Sequence, residues 1–261
     1  MAKLFNMDLY RMVKARSFKV LLALTFAISL GTMPMLKGLY DLAVRLSPES
    51  ITETFETTRT LSSLISDPFS LVIPLLILLS VVFFFHTDME NGYIKNIAGQ
   101  MPRRGFSILS RFLAAIVHNV VFMVTAVAGN VIGAMLVLKV TADSAIVTGI
   151  GAFLLELLLL QSICAILLLV TASFRSKSFG IVLAVLFGVG ATSLLYSAID
   201  SGLDLLIKGF KIAPYMPDTL LGNPFDANGN LMVVRSVLSA AVTIGIFLPL
   251  SIGVFDKRDV K

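Results

Sequence analysis

Glu156 is the residue whose surroundings most favour chemistry in this sequence. It lies in the run GAFLLELLLLQSICA, where nearly every neighbour is apolar, and Gln161 follows five positions later. With Asn130, in an earlier apolar run, these side chains could form the polar wall of a substrate path, and the Glu156 carboxyl group could carry a proton. The alternatives for Glu156 are a hydrogen bond between helices or a contact with lipid headgroups. Glu156, Gln161 and Asn130 are therefore the possible substrate-path residues.

Other kinds of chemistry are not indicated. The sequence has no GxxxxGK(S/T) motif, so we expect no ATP-binding P-loop in this chain. Its two His and one Cys lie far apart, which argues against a zinc site, and no Ser, His and Asp set suggests catalysis. Cys164 is interpreted as a small buried hydrophobe, and His118 and Asn119 as packing or interface groups. We expect no catalytic residue, metal or cofactor bound by this chain.

The composition indicates the solvent in which these residues are placed. The 261 residues are 57% hydrophobic and 14% charged, with a mean hydropathy of +0.92, whereas a soluble domain has about 25% charged residues. The deficit points to lipid as the main solvent. The net charge of +5 does not suggest nucleic acid, because the basic residues are scattered among short loops.

The apolar runs predict an all-α integral membrane protein with six transmembrane helices. A membrane helix needs roughly 20 mostly apolar residues, and six runs approach that length. Buried helices of a soluble protein are excluded because six such runs leave almost no polar surface. Barrel strands would be shorter and would alternate apolar with polar residues. The expected spans are about 20–36, 69–85, 112–138, 145–172, 179–199 and 231–255, all within one transmembrane domain, residues 1–261.

The loop charges predict that both termini lie in the cytoplasm. With the N-terminus inside, 14 of the 21 basic residues fall on the inner side and 10 of the 16 acidic residues on the outer side, as the positive-inside rule requires. This orientation also places the polar segment between the second and third spans in the cytoplasm.

Three segments beside the spans are expected to be amphipathic. Residues 1–17 are predicted to form an interfacial helix, with Phe5, Leu9, Met12 and Val13 on its apolar face; the alternative is a helical extension of the first span. The outer loop 37–68 is either an amphipathic helix or a flexible acidic loop. The pattern of residues 203–210 favours a short helix at the outer interface or a re-entrant helix.

A stripe of small residues marks the third span. Thr125, Gly129 and Gly133 recur at intervals of four, which brings them to one helix face and lets another helix approach closely. We interpret the stripe as helix packing within the protomer.

The polar segment HTDMENGYIKNIAGQMPRRGFSILSR, residues 86–111, has the pattern of a docking helix. Ile94, Ile97 and Met101 form a small apolar stripe at i, i+3 and i+7. Its charged rim consists of Asp88, Glu90, Lys95, Arg103 and Arg104. An apolar centre with a charged rim suits a helix that binds in a groove. The alternative is a solvated loop whose basic residues only set topology, which would leave the apolar stripe and the acidic start unexplained.

This segment resembles the inner loop between the second and third spans of ABC transporter permeases of the type-2 exporter class. The matching residues are Glu90, Gly92, Ile94, Ile97, Pro102, Arg103, Arg104 and Arg111. The C-terminal FDKRDV is similar to that family's usual final F-x-K/R-R-D, through Phe255, Lys257, Arg258 and Asp259. The span order, the N-terminal helix and the outer amphipathic piece also resemble the family, so the likeness covers nearly the whole chain.

The resemblance implies a two-part exporter in a bacterial plasma membrane. Two cytoplasmic ABC ATPase subunits would bind ATP and Mg, and a second permease subunit, identical or homologous, would complete the path. The residues implied to couple to the ATPase are Asp88, Glu90, Gly92, Tyr93, Ile94, Ile97, Met101, Arg103 and Arg104. Permeases of this size resemble those that export antimicrobial peptides or lantibiotics, and other hydrophobic cargo stays open. The competing hypotheses are an ion-coupled secondary transporter, which would need repeats and paired intramembrane charges, and an intramembrane enzyme or scaffold.

Overall fold

The computed structural model describes residues 2–46, 58–66, 72–90, 105–174, 176–204, 211–223, 225–226 and 230–257, and of residues 2 and 88–90 it describes the backbone. In chain order the described helices are α1 (Ala2–Lys14), α2 (Arg16–Leu46), α3 (Leu61–Ser66), α4 (Ile73–Glu90), α5 (Gly105–Val137), α6 (Ile146–Phe174), α7 (Lys177–Val189), α8 (Thr192–Asp204), α9 (Pro217–Leu220) and α10 (Val233–Lys257). A 3-10 turn covers Ala213–Tyr215, and strands β1 (Thr58–Thr60) and β2 (Lys139–Thr141) pair in parallel.

The helices are compatible with a multi-pass membrane protein. Among the described residues four helices, α2, α5, α6 and α10, are long and apolar enough to cross a membrane, and the bent pair of α7 and α8 makes a fifth if it counts as one span. Helix α4 contributes a shorter apolar stretch, Ile73–Thr87. The all-α expectation is therefore confirmed at the level of a helical membrane protein with four or five candidate spans.

Helix α6 forms the centre of the bundle. It is apolar on every side, and two thirds of its most apolar window is buried, as expected for a helix surrounded by others. Helices α3, α5, α7 and α10 all pack against it. Leu160, Ile163, Cys164 and Leu167 are fully buried within the main apolar core. Glu156, Gln161, Ser162 and Thr171 on α6 are consequently buried among other helices.

The N-terminal helix α1 ends at Lys14 and the first span, α2, begins at Arg16, so Ala15 lies between two separate helices. Phe5, Leu9 and Met12 pack on the core, as their spacing predicts. Val13 was expected on this face, and that expectation is wrong: its side chain is 51% exposed, and Asp8 takes the buried position instead. Asp8 is buried because it meets a polar partner, Ser110, on α5.

Two span boundaries differ most from the sequence prediction. The first span was predicted to end near residue 36, yet α2 continues to Leu46 without a break, with Pro34 inside it. The third was predicted to start near residue 112, yet α5 begins at Gly105. At 1.5 Å per residue, α2 is about 46 Å long, so it exceeds a hydrocarbon layer of roughly 30 Å. Apolar run length predicts the part of a helix that lies in lipid, and helix geometry continues beyond it.

The fifth predicted span, 179–199, is not one straight helix. Helix α7 ends at Val189, and α8 starts at Thr192 after a bend of 78°. Gly190 has φ +73°, the left-handed conformation that glycine adopts readily. Its N–H bonds to the Phe187 carbonyl, and the Ala191 N–H bonds to the Leu186 carbonyl, which is the Schellman pattern of helix termination. The prediction of one continuous helix is therefore corrected to two helices that meet at a sharp bend.

The bundle has two distinct ends. At the first, which we call the termini end, the Gly105 N–H donates to the Asp256 carboxylate at 2.6 Å, and Ser110 donates to Asp8. At the other, which we call the loop end, β1 pairs with β2, and Ser62 bonds to Asp143. The start of α5 thus lies beside both the first and the last described helices.

Candidate functional site

A network of buried polar side chains joins α4, α5 and α6. His118 Nε2 lies 2.8 Å from Ser80 Oγ, and His118 Nδ1 lies 3.3 Å from Asn119 Oδ1. Asn119 Nδ2 donates to Gln161 Oε1 at 2.9 Å, and Gln161 Nε2 donates to the Phe112 carbonyl at 2.9 Å. These groups are almost fully buried. The hydrogen bonds balance the cost of placing polar groups in an apolar interior.

Aromatic rings enclose the imidazole of this network. Phe122 stacks on His118 with ring centroids 4.4 Å apart, and Phe18 of α2 meets His118 edge-on at 5.5 Å. Asn119 Nδ2 also lies 3.4 Å from Cys164 Sγ. His118 and Asn119 were interpreted as packing groups, and their contacts fit that interpretation. The sequence did not indicate that Ser80 and Cys164 would join them, since pairing across helices leaves no periodic signal.

The three possible substrate-path residues have different surroundings. Glu156 is fully buried on α6, and Asn130 is 5% exposed on α5. Gln161 lies in the network described above. Positions 156 and 161 are about 140° apart around a helix of 3.6 residues per turn, so they point to different neighbours. The structure therefore brings Gln161 together with Asn119 rather than with Glu156.

The small-residue stripe of α5 packs against α2. A Cβ atom at Gly129 would lie 2.7 Å from Ser29 Cβ and 3.0 Å from the Phe26 carbonyl oxygen, and one at Gly133 would overlap the Leu30 carbonyl oxygen. The two glycines thus permit backbone contact, as the spacing predicts. Thr125, the third member, bonds its hydroxyl to the Val121 carbonyl of its own helix.

Most of the proposed coupling segment lies outside the described residues. Gly92, Tyr93, Ile94, Ile97, Met101, Arg103 and Arg104 belong to residues 91–104, and the side chains of Asp88 and Glu90 are likewise outside. The two helices that flank the segment, α4 and α5, are described. Lys177, at the start of α7, lies over the Phe83 ring at 5.3 Å. The termini end therefore contains the last turns of α4 and α6 and the first turns of α5 and α7.

A pocket of about 390 Å³ opens at the loop end. It lies between the first turn of α4, the end of α7 and the segment that follows α9. Asp218 lines it and accepts hydrogen bonds from Thr192 Oγ1 and, at 3.0 Å, from Tyr196 OH. From the sequence, Asp218 is one of the ten acidic residues predicted on the outer side. Its hydrogen bonds could not be predicted, because its partners are 22 and 26 positions away.

The described residues contain no group of three His, Cys, Asp or Glu side chains placed to hold a metal ion. An apolar groove of about 600 Å³ runs between α5 and α6, bordered by Val124, Val131, Ile150 and Phe153. Its lining residues are all apolar.

No family model, curated protein or solved structure matches the chain. A proposal about its function therefore rests on its own residues and their contacts.

Proposed function

We propose that this chain is the membrane-spanning permease subunit of an ATP-binding cassette exporter in a bacterial plasma membrane. It forms the substrate path with a second permease subunit, and two cytoplasmic ATPase subunits bind and hydrolyse ATP. The observation that carries the proposal is the segment 86–111, whose apolar stripe and charged rim connect two helices at the termini end of the bundle.

The arrangement of the helix ends supports six spans with both described ends of the chain on the same side of the membrane, which the loop charges predict to be the cytoplasmic side. Ser110 contacts Asp8, and Gly105 contacts Asp256, so the start of α5 lies beside the first and last helices. A chain whose described ends meet on one face crosses the membrane an even number of times. Counting α4 as one span and the bent pair of α7 and α8 as another gives six.

Helices α4 and α7 pack closely against each other as an antiparallel pair. A Cβ atom at Gly188 would lie 2.5 Å from Leu75 Cα, and one at Gly180 would lie 3.0 Å from Val82 Cγ1. The apolar part of α4, 15 residues from Ile73 to Thr87, is about 22 Å long and falls short of a hydrocarbon layer of roughly 30 Å. We propose that protein at the loop end covers the remaining depth, where irregular backbone is tolerated.

The contacts at the start of α5 supply a route from the ATPase to the membrane helices. The Asp256 carboxylate binds the first N–H of α5, a favourable position for a negative charge. Motion of the segment before Gly105 is therefore transmitted to α10 through this bond, and to α1 through Asp8. Such contacts fit a subunit that receives mechanical work from a partner.

The test is recovery of an ATPase with the tagged chain from native membranes. We expect a P-loop ATPase in stoichiometric amount, and at least a tenfold loss when Glu90, Ile94 and Ile97 are all changed to Ala, because the apolar centre and acidic rim of the docking helix disappear. The matched control changes Leu39, Asp41 and Leu42 to Ala, two exposed apolar residues and one acid on α2 towards the loop end. The control should retain the ATPase.

Two outcomes would overturn the proposal. One is an equal loss of ATPase in both triple variants. The other is sustained transport of cargo by this chain alone without ATP, which would favour an ion-coupled secondary transporter.

Glu156→Gln provides a separate prediction for the substrate path. Glutamine keeps the size and polarity of the buried side chain, but its amide can neither ionise nor carry the carboxyl proton. We expect normal yield and an unchanged elution volume on size exclusion, together with a changed set of tolerated compounds in cells that also express the ATPase. Resistance to a panel of amphipathic peptides and drugs measures the effect. Identical resistance across the panel would assign Glu156 to helix packing.

A further inference from the structure

The pocket at the loop end combines an apolar wall with one acidic side chain. Pro74, Phe187 and Leu221 provide apolar surface, and Ser193, Thr219 and Asp218 provide polar atoms. Its volume of about 390 Å³ is within the range of roughly 300–1,000 Å³ that small-molecule sites occupy. In the orientation proposed above, this pocket opens on the outer side of the membrane.

Asp218 is held in place by hydroxyl groups and not by a cation. Thr192 and Tyr196, both on α8, donate to its two carboxylate oxygens, and only 9% of the residue is exposed. No Lys or Arg in the described part of the chain forms an ion pair with it. Both donors are neutral hydroxyl groups, so they do not compensate the negative charge of an ionised carboxylate.

A role in joining α8 to α9 accounts for the two hydroxyl contacts. It does not account for a carboxylate that lines an open cavity, where a cation can reach the oxygen lone pairs that the hydroxyls leave free. A carboxylate accepts about four hydrogen bonds, so the side chain retains capacity on the side of the pocket.

We propose that this pocket binds an amphipathic organic cation. The cationic group pairs with Asp218, and the apolar part lies against Phe187, Pro74 and Leu221. A bare metal ion is a poorer match, since calcium takes six to eight oxygen ligands and the pocket offers a single carboxylate. The Phe187 ring adds a surface that attracts cations.

The inference rests on the proposed function in one respect, the identification of the bound cation as cargo. It then names the substrate class: molecules that carry both a positive charge and an apolar body, as cationic antimicrobial peptides and many drugs do. The pocket would hold such cargo on the outer side of the path.

The experiment measures binding to the purified full-length chain in nanodiscs, with tetraphenylphosphonium as the probe. Tetraphenylborate, which has the same shape and the opposite charge, is the matched control ligand. We expect the cation to bind at least tenfold more tightly than the anion, and Asp218→Asn to weaken cation binding at least tenfold. Asp41→Asn removes the same charge from an exposed position on α2 and should leave binding unchanged.

A second variant tests the pocket independently, in case Asp218→Asn does not fold. Ser193 lines the pocket with an exposed side chain, so Ser193→Lys supplies an internal cation while Asp218 stays in place. This variant should also lose cation binding and keep its elution volume. Equal binding of cation and anion, no binding by the unmodified chain, or unchanged binding in both Asp218→Asn and Ser193→Lys would overturn the inference. Because no ATPase is present, loss of the exporter proposal alone would leave these binding results unaffected.

Discussion

Replacing Gly133 with leucine should leave little correctly folded protein. In the packed bundle α2 crosses α5 so closely that a Cβ atom at Gly133 would overlap the Leu30 carbonyl oxygen. The obstacle is backbone, so no side-chain rotation relieves it, and the two helices must separate along their contact. Overpacking costs typically 1–3 kcal/mol and sometimes more. We expect about 3 kcal/mol or more here, because a leucine side chain also displaces the neighbouring contact at Gly129.

The control for this prediction lies on the other helix of the same pair. A Cβ atom at Gly38 of α2 meets no heavy atom within 4 Å, so Gly38→Leu introduces the same side chain into open space. This substitution should be neutral or slightly stabilising, since the helix propensity of leucine is more favourable than that of glycine by several tenths of a kcal/mol. Yield of the single size-exclusion peak and the thermal unfolding midpoint in detergent measure both variants. A normal midpoint for Gly133→Leu would contradict the packing argument.

The stripe illustrates which features the sequence could predict. The spacing of Gly129 and Gly133 is a property of one helix, and a 3.6-residue period places them on one face without knowledge of the partner. The partner helix, α2, could not be predicted, because nothing in the local pattern specifies which neighbour approaches. Thr125 fits the same spacing, and its hydroxyl bonds to the Val121 carbonyl of its own helix.

Some span boundaries could be predicted from the sequence, and others depend on contacts between helices. Apolar length predicted α6 and α10 to within two residues, since lipid requires a continuous apolar run. The break after α7 could not be predicted in the same way. Gly188 and Gly190 both lie in the run FGVGATS, and only the folded chain shows that the first permits contact with Leu75 while the second ends the helix.

The candidate sites show where sequence patterns stop being informative. Asp218 and Tyr196 are 22 positions apart, and Asn119 and Gln161 are 42 apart. Such pairs depend on how the helices assemble, and a single sequence carries no period that links them. Gln161 was assigned to a possible path on its polarity alone, and the sequence did not indicate its two hydrogen bonds to α5.

The hydrogen bonds of Gln161 lead to the second large prediction, a non-additive response to mutation. Gln161→Leu leaves the Asn119 amide without its oxygen partner and the Phe112 carbonyl without its side-chain donor. An unsatisfied buried polar group costs about 1–3 kcal/mol, so we expect a loss of about 2 kcal/mol. Asn119→Leu similarly strands Gln161 Oε1 and should cost about as much.

The double variant should lose less than the sum of the two single variants, because it removes both partners and leaves fewer unsatisfied groups. The coupling energy should be about 1 kcal/mol, within the range that cycles between membrane helices reach, up to about 1.7 kcal/mol. Denaturation of the four proteins by increasing detergent fraction measures the cycle. Thr32→Val combined with Gln161→Leu is the control pair. The Thr32 hydroxyl bonds to the Ile28 carbonyl of its own helix, so its effect should add to that of Gln161→Leu to within about 0.5 kcal/mol. If the free-energy losses of Asn119→Leu and Gln161→Leu also add, as those of the control pair should, the hydrogen bond between Asn119 and Gln161 does not stabilise the contact of α5 with α6.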